Sequence, residues 1–464
     1  MRRLLAITGP ALLVSVGYMD PGNWATDLEG GARFGYQLLW VLVLSNLIAL
    51  LLQMLSARLG IVTGLSLAQS CHAHYAPGFS LPLWLLAEVA IVACDMAELL
   101  GSAVALNMLF GIPLITGALL TALDVLLLLA FQRGGVRTLE ACVFSLLLVI
   151  ALCMAFELVV ANPPLGQLAS GLVPRIDGAS LYIAIGMLGA TVMPHNLYLH
   201  SALVPHAPVG RATKEERTRL LRSSARSTWL ALNIALLINV AILILAASVF
   251  ADRASPVTDL SEAHKLLTPL TGAAFASVLF AVALLCAGQS ATLTGTLAGQ
   301  IVMEGFMQLK VSPFVRRTMT RCVAIVPAVL ALWLSGDGAT TSLLVASQVV
   351  LSLQLPFAVI PLIRFASSKH IMGEHVIGPT TRRAAQACAL LVISANIALV
   401  VDVIGDWYVR APVAASIFAA FAVLGLVFLG VITWAPLRDA APASPPPGAR
   451  LLQPLPSHVL SRES

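Results

Sequence analysis

The chain has 464 residues, 59% hydrophobic and 11% charged, with a formal net charge of +5 and a mean hydropathy of +0.92. Soluble domains run near 45–50% apolar and about 25% charged, so this composition excludes a water-soluble globule. Uninterrupted apolar runs repeatedly exceed the roughly 18 residues that mark a membrane span, which points to a polytopic membrane protein. The seven cysteines form no CxxC pair and fall mostly inside apolar runs. They read as packing residues, not as a disulfide framework or a thiolate metal site.

Met-Arg-Arg and an apolar run open the chain like a signal peptide. Asp20, Pro21, Gly22 and Asn23 follow with no A-x-A cleavage pattern before them, so retention is expected. Twelve spans are predicted, at about 5–31, 38–60, 82–109, 112–132, 138–160, 180–204, 227–251, 271–302, 318–335, 340–364, 384–405 and 412–435. Short connections make residues 1–436 one transmembrane domain. Residues 437–464, with a Ser-Pro-Pro-Pro-Gly stretch, are expected to form a disordered cytoplasmic tail.

Cytoplasmic loops concentrate Lys and Arg. With the N-terminus inside and an even number of spans, only Arg33, Arg175, Arg253, Lys265 and Arg410 of the 27 basic residues fall outside. Both termini are therefore expected in the cytoplasm. The same rule accounts for the basic run 211–226 as a cytoplasmic loop, with no nucleic-acid partner.

Spans 1 and 6 are interrupted near mid-membrane, by Asp20-Pro21-Gly22-Asn23 and by Met193-Pro194-His195-Asn196. Proline lacks an N–H and frees the carbonyl four residues earlier, here those of Gly17 and Ala190. A free carbonyl in lipid is costly and must line a polar cavity or meet a ligand. A proline kink re-satisfied by a hydroxyl or water is the bland reading of one break. Two breaks, each opening a possible five-helix unit, point instead to a transporter binding site. Asp20, Asn23 and Met193 stand beside the two carbonyls. Thioether sulfur is a poor ligand for magnesium or calcium, so a mixed oxygen–sulfur set leans toward transition metals; as a common apolar filler, Met193 keeps a packing reading too.

Span 3 carries Glu88, Asp95 and Glu98 within roughly 80° of one another on one helix face. Intramembrane charges often mark proton relays, and Arg316 and Arg317 in span 9 are candidate counter-ions. His195 is the natural proton carrier near neutral pH. Asp124, Glu157, His200 and Asp402 are weaker candidates, each equally readable as a satisfied structural residue. Gly295 and Gly299 in span 8 read as a close helix–helix contact. No HExxH or GxSxG pattern suggests an enzyme.

Five stretches now carry a resemblance. They are the segment Gly9 to Gly64 with YMDPGNWATDLEGGARFGY, then ACDMAELLGSAVALNMLFGIPL (93–114), GATVMPHNLYLHSAL (189–203), GQSATLTGTLAGQIVMEGF (288–306) and SQVVLSLQLPFAVIPL (347–362). Together they resemble the Nramp family of divalent-metal transporters over residues 5–435. The resemblance implies an all-α, LeuT-like membrane fold with spans 1–5 and 6–10 as inverted repeats. It implies a proton-coupled manganese and iron(II) importer working by alternating access, in a bacterial inner membrane. Metal ions and protons are then substrates, with no separate cofactor and no obligate protein partner. The family's ligands map onto Asp20, Asn23, Met193, the carbonyls of Ala190 and Gly17, and Gln348. Its proton path maps onto Asp20, His195, Glu98, Asp95 and Glu88, with Arg316 and Arg317 as partners. Asn239 matches a polar family position, and Arg321 departs from the family's local ion-pair pattern. An amino-acid or sodium symporter on the same scaffold and a membrane enzyme are the competing readings.

Overall fold

The computed structural model describes residues 2–121, 136–207, 212–251, 257–273, 275–309, 311–335 and 340–438. Asp124, most of the fourth predicted span and the tail beyond residue 438 lie outside the described residues, as do Arg133, Arg211, Arg253 and Lys310. Helices of eight or more residues are, in chain order, α1 (Arg2–Gly17), α2 (Pro21–Phe34), α3 (Leu39–Thr63), α4 (Leu67–His74), α5 (Ser80–Phe110), α6 (Leu114–Thr121), α7 (Val136–Ala161) and α8 (Gly178–Val192). They continue as α9 (Pro194–Leu203), α10 (Lys214–Phe250), α11 (Leu260–Thr271), α12 (Ala276–Met307), α13 (Pro313–Ser335), α14 (Thr340–Ala366), α15 (Pro379–Arg410) and α16 (Pro412–Trp434). No strand occurs among the described residues. Helices satisfy every interior backbone group within the segment, which a bilayer demands.

Among the described residues, eight helical stretches are long and apolar enough by themselves to cross a membrane. The other four predicted spans fall short for identifiable reasons. Spans 1 and 6 are each divided, into α1 and α2 and into α8 and α9, and no half reaches 18 residues. Span 9, α13, carries Arg316, Arg317 and Arg321 in its first half. Span 4 is described only for α6.

Local sequence dictates both divisions. Pro21 and Pro194 sit at the first turn of the second half-helix, where a missing N–H costs nothing. Asp20 caps α2, its side chain accepting from the Asn23 backbone N–H. Met193, between α8 and α9, takes φ +39° and offers no side-chain cap. A positive φ at a methionine is strained by about 1–3 kcal/mol and persists only where packing enforces it. Met193 is fully buried.

The half-helices α2 and α9 are buried along nearly their whole length and α8 from Ile183 onward, whereas α15 and α16 expose most of their apolar surface. The broken helices thus form the interior of the bundle and the last two spans its margin. α5 packs against α12, α13 and α14, and α10 packs against α2 and α3.

Candidate metal and proton site

The two breaks meet inside the protein. Asp20 Oδ1 accepts from the Asn23 backbone at 2.8 Å and from Asn23 Nδ2 at 2.7 Å. The same Nδ2 donates across the interface to the Ala190 carbonyl at 3.1 Å. Ala190 is one of the two carbonyls that a break-forming proline was expected to release, and an amide from the other break takes it up. Asn196 returns the gesture. Its Nδ2 donates to Met193 Sδ at 3.4 Å, and its side chain lies directly against the Gly17 Cα. Each half-helix that follows a break therefore sends its third residue, an asparagine, to the C-terminal end of the other broken helix.

Gln348 of α14 lies against Gly22, its Nε2 donating to Ser347 Oγ at 3.0 Å. Asn239 of α10 donates to the Tyr18 carbonyl at 2.8 Å and to Asn23 Oδ1 at 3.4 Å. Asp20, Asn23, Ala190, Met193, Gly17 and Gln348, six residues from three distant stretches of chain, are brought to one buried locus. Four of the side-chain oxygens here have no hydrogen-bond partner: Asp20 Oδ2, Asn196 Oδ1, Asn239 Oδ1 and Gln348 Oε1. A buried oxygen normally finds a donor, so these four are open to a ligand, and oxygens beside one carboxylate are the donor type a cation takes. No cluster of three His, Cys, Asp or Glu side chains is found among the described residues. The oxygens on offer come mainly from amides and backbone, with one carboxylate.

Asn196 is the residue that the sequence reading missed. Its signal was present: both breaks read Pro-x-Asn, as Pro21-Gly22-Asn23 and as Pro194-His195-Asn196.

A second array begins one helix away. Glu88, Asp95 and Glu98 of α5 face the arginines of α13. Arg316 pairs with both oxygens of Glu88, at 2.9 and 3.1 Å. Arg317 bridges Asp95 and Glu98, the latter at 3.3 Å. Arg321 donates to the Asp95 carbonyl at 3.1 Å and to Thr292 Oγ1 at 3.3 Å. Thr292 in turn donates to Glu98 Oε2 at 3.1 Å. The local departure at Arg321 is thus absorbed as a third cation on the same acidic face. Such buried pairs cost desolvation and hold only when their remaining donors and acceptors are met.

Gly295 and Gly299 of α12 were expected to let two helices approach. α12 does pack closely on α5, and what fills the space at these two glycines is charged side chains. A Cβ at Gly295 would collide with the Glu98 carboxylate, and one at Gly299 with the Arg316 guanidinium. These glycines make room for the charged array.

His195 lies between the two sets, buried, with Nε2 at 3.8 Å from Cys94 Sγ. Of the weaker candidates, His200 Nδ1 meets Gln53 Oε1 at 2.9 Å, and Gln53 Nε2 donates to Tyr18 Oη at 2.8 Å. Asp402 is exposed. Glu157 is buried in α7 and neither of its oxygens has a hydrogen-bond partner.

Comparison with known proteins agrees with this architecture. The family described as "Natural resistance-associated macrophage protein-like" (Nramp) matches residues 11–402. The "Divalent metal cation transporter MntH" of Xanthomonas campestris is 54% identical over 402 residues, covering 86% of this chain and 90% of that protein. The "Natural resistance-associated macrophage protein 2 homolog" of Dictyostelium discoideum is 48% identical, covering 88% of this chain and 65% of that one. A crystal structure of the Eremococcus coleocola manganese transporter superposes with a TM-score of 0.84 at 33% identity, over 93% of this chain and 94% of that one. Mhp1, a nucleobase-cation-symport-1 family transporter, shares the fold at a TM-score of 0.58 and 14% identity, each chain covered to 94%. With these matches over most of its length, the chain belongs to the Nramp family, in a helical membrane fold of the LeuT type.

Proposed function

We propose that this protein imports divalent transition-metal ions, manganese and iron(II) foremost, together with protons, by alternating access at the two helix breaks. The observation that carries the reading is the convergence of one carboxylate, several unpartnered amide oxygens and one thioether at a buried point where both broken helices end. In this reading Asp20, Asn23, Met193, Gln348 and the carbonyls of Ala190 and Gly17 hold the ion. Asn196 and Asn239 fix the geometry of the two breaks.

Asp20 supplies the only formal charge among those ligands. The amides and carbonyls replace water on a dehydrated cation, and the sulfur of Met193 favours softer ions over calcium and magnesium. Proton movement is assigned to Asp20, His195, Glu98, Asp95 and Glu88. Arg316 and Arg317 hold those acids in place and compensate their charge inside the membrane. The names borne by the Xanthomonas and Eremococcus proteins, a divalent metal cation transporter and a manganese transporter, support the same cargo.

We further assign the protein to a bacterial inner membrane, with residues 1–436 as the transport domain, residues 437–464 as a cytoplasmic tail and both termini inside. The asymmetry of Lys and Arg supports the orientation. The decisive experiment uses vesicles holding only this protein. Manganese should enter when added outside, and the lumen should acidify in step. Absence of manganese flux in folded, reconstituted protein would reject the function; manganese flux without acidification would reject the coupling.

A further inference from the structure

α15 stands at the margin of the bundle, yet one of its polar side chains reaches the interior. Asn396 is 6% exposed and is the one polar residue of α15 that is buried among the described residues. It meets Ser352 of α14, which is fully buried. Asn396 Nδ2 donates to the Ser352 carbonyl at 2.7 Å, and Ser352 Oγ donates to Asn396 Oδ1 at 2.8 Å.

The sequence explains why that carbonyl is open to a side chain. Pro356 lies inside α14, four residues after Ser352, and has no N–H to return to it. A carbonyl left unmet inside a membrane is costly, so a donor from another helix is needed. The turn that Asn396 grips is the one that carries Gln348, because Ser352 follows Gln348 by four residues on the same face of α14. Gly189, the residue before Ala190, presses on this turn as well. A Cβ on Gly189 would lie 2.2 Å from the Gln348 carbonyl oxygen and 2.8 Å from both the Cβ and the N of Ser352. Ile185 of α8, Val349 of α14 and Leu399 of α15 form one buried apolar cluster that joins the three helices.

We propose that Asn396 is a positioning residue of the metal site. It fixes the turn from Gln348 to Ser352 against Gly189, and so sets the separation between the Gln348 side chain and the Ala190 carbonyl without touching the ion. This role rests on the ligand assignment proposed above. It makes span 11 part of the frame of the site, although that span lies outside the two five-span repeats that the resemblance implies.

The test is a manganese-binding titration on the purified full chain in lipid nanodiscs. Asn396→Ala should weaken manganese binding by about tenfold, the loss typical of an outer partner that orients a ligand. Gln348→Ala should weaken it too. Adding Asn396→Ala to Gln348→Ala should then weaken it by less than about threefold more, since residues that act through one another are not additive. Asn396→Ala strands the Ser352 carbonyl, so a second variant guards the fold: Asn396→Ala with Pro356→Ala, in which residue 356 supplies the missing N–H. This pair should recover the thermal midpoint of the wild type while manganese still binds about tenfold more weakly. Recovery of affinity together with stability would show that Asn396 only satisfies backbone, and would overturn the positioning role. So would wild-type affinity in Asn396→Ala, or full additivity with Gln348→Ala. Asp20→Ala separates the two claims. If it binds manganese as the wild type does, the ligand assignment has failed and the role of Asn396 with it. If it does not, a contrary result in the Asn396 variants rejects that role alone.

Discussion

The two helix breaks are built on one plan and finished differently. Both place proline at the head of the second half-helix and asparagine two residues later, and each asparagine reaches the opposite break. The first break is closed by a charge. Asp20 caps its own helix with one oxygen and leaves the other, Oδ2, without a partner. The second break has no cap at all; Met193 is held in a left-handed backbone conformation and presents a neutral sulfur to Asn196. The difference separates two tasks that one binding site must perform. In the proposed function, charge at the first break supplies affinity for any divalent cation, and softness at the second decides which cation is preferred.

The largest predicted effect strikes the first break. Asp20→Asn keeps a side chain able to cap α2 but removes the charge, and manganese affinity should fall by more than about 100-fold, beyond what loss of an outer ligand costs. A binding titration on purified protein measures it. Asp20→Ala should abolish uptake outright while the protein still folds, at a cap cost of about 1 kcal/mol. Manganese uptake near the wild-type rate in either variant would remove the site from this position.

Next in size is the separation of metal from proton. Glu98→Gln or His195→Ala touches no ligand proposed for manganese, so luminal acidification during manganese entrance should fall much more than manganese affinity. The opposite pattern, collapsed affinity with intact proton flux, would merge the two arrays into one site. Smaller still is the structural asymmetry of the asparagines. Asn23→Ala strands the buried Ala190 carbonyl and should destabilise by about 1–3 kcal/mol. Asn196 donates only to sulfur, a weak acceptor, so Asn196→Ala should cost less. Equal shifts in unfolding midpoint would show that the two breaks are mechanically equivalent after all.

Composition and proline placement made the membrane class, eight of the spans and both breaks legible, because dehydrated backbone leaves few options. The acids of α5 were legible by helical periodicity, and their arginine partners by sign. What could not be read was pairing across the fold. Asn196 looked like one more residue after a proline until Gly17 and Met193 were placed against it. Gly295 and Gly299 matched a helix-contact spacing, but whether backbone or a guanidinium fills the space is set by α5 and α13, far away in sequence. Gln348 carried no local sign of function and entered only through family resemblance.

The claim that charge and softness reside at separate breaks is tested most directly by manganese uptake in competition with excess calcium, in wild type, Met193→Ala and Met193→Leu. Removing the thioether takes away a ligand useless to a hard cation and leaves room for a water, which is a good one. Calcium should therefore compete better in both variants, while manganese uptake falls less than in Asp20→Ala. Unchanged calcium discrimination in Met193→Ala, with full recovery of transport in Met193→Leu, would make Met193 a packing residue and contradict the division of labour between the two breaks.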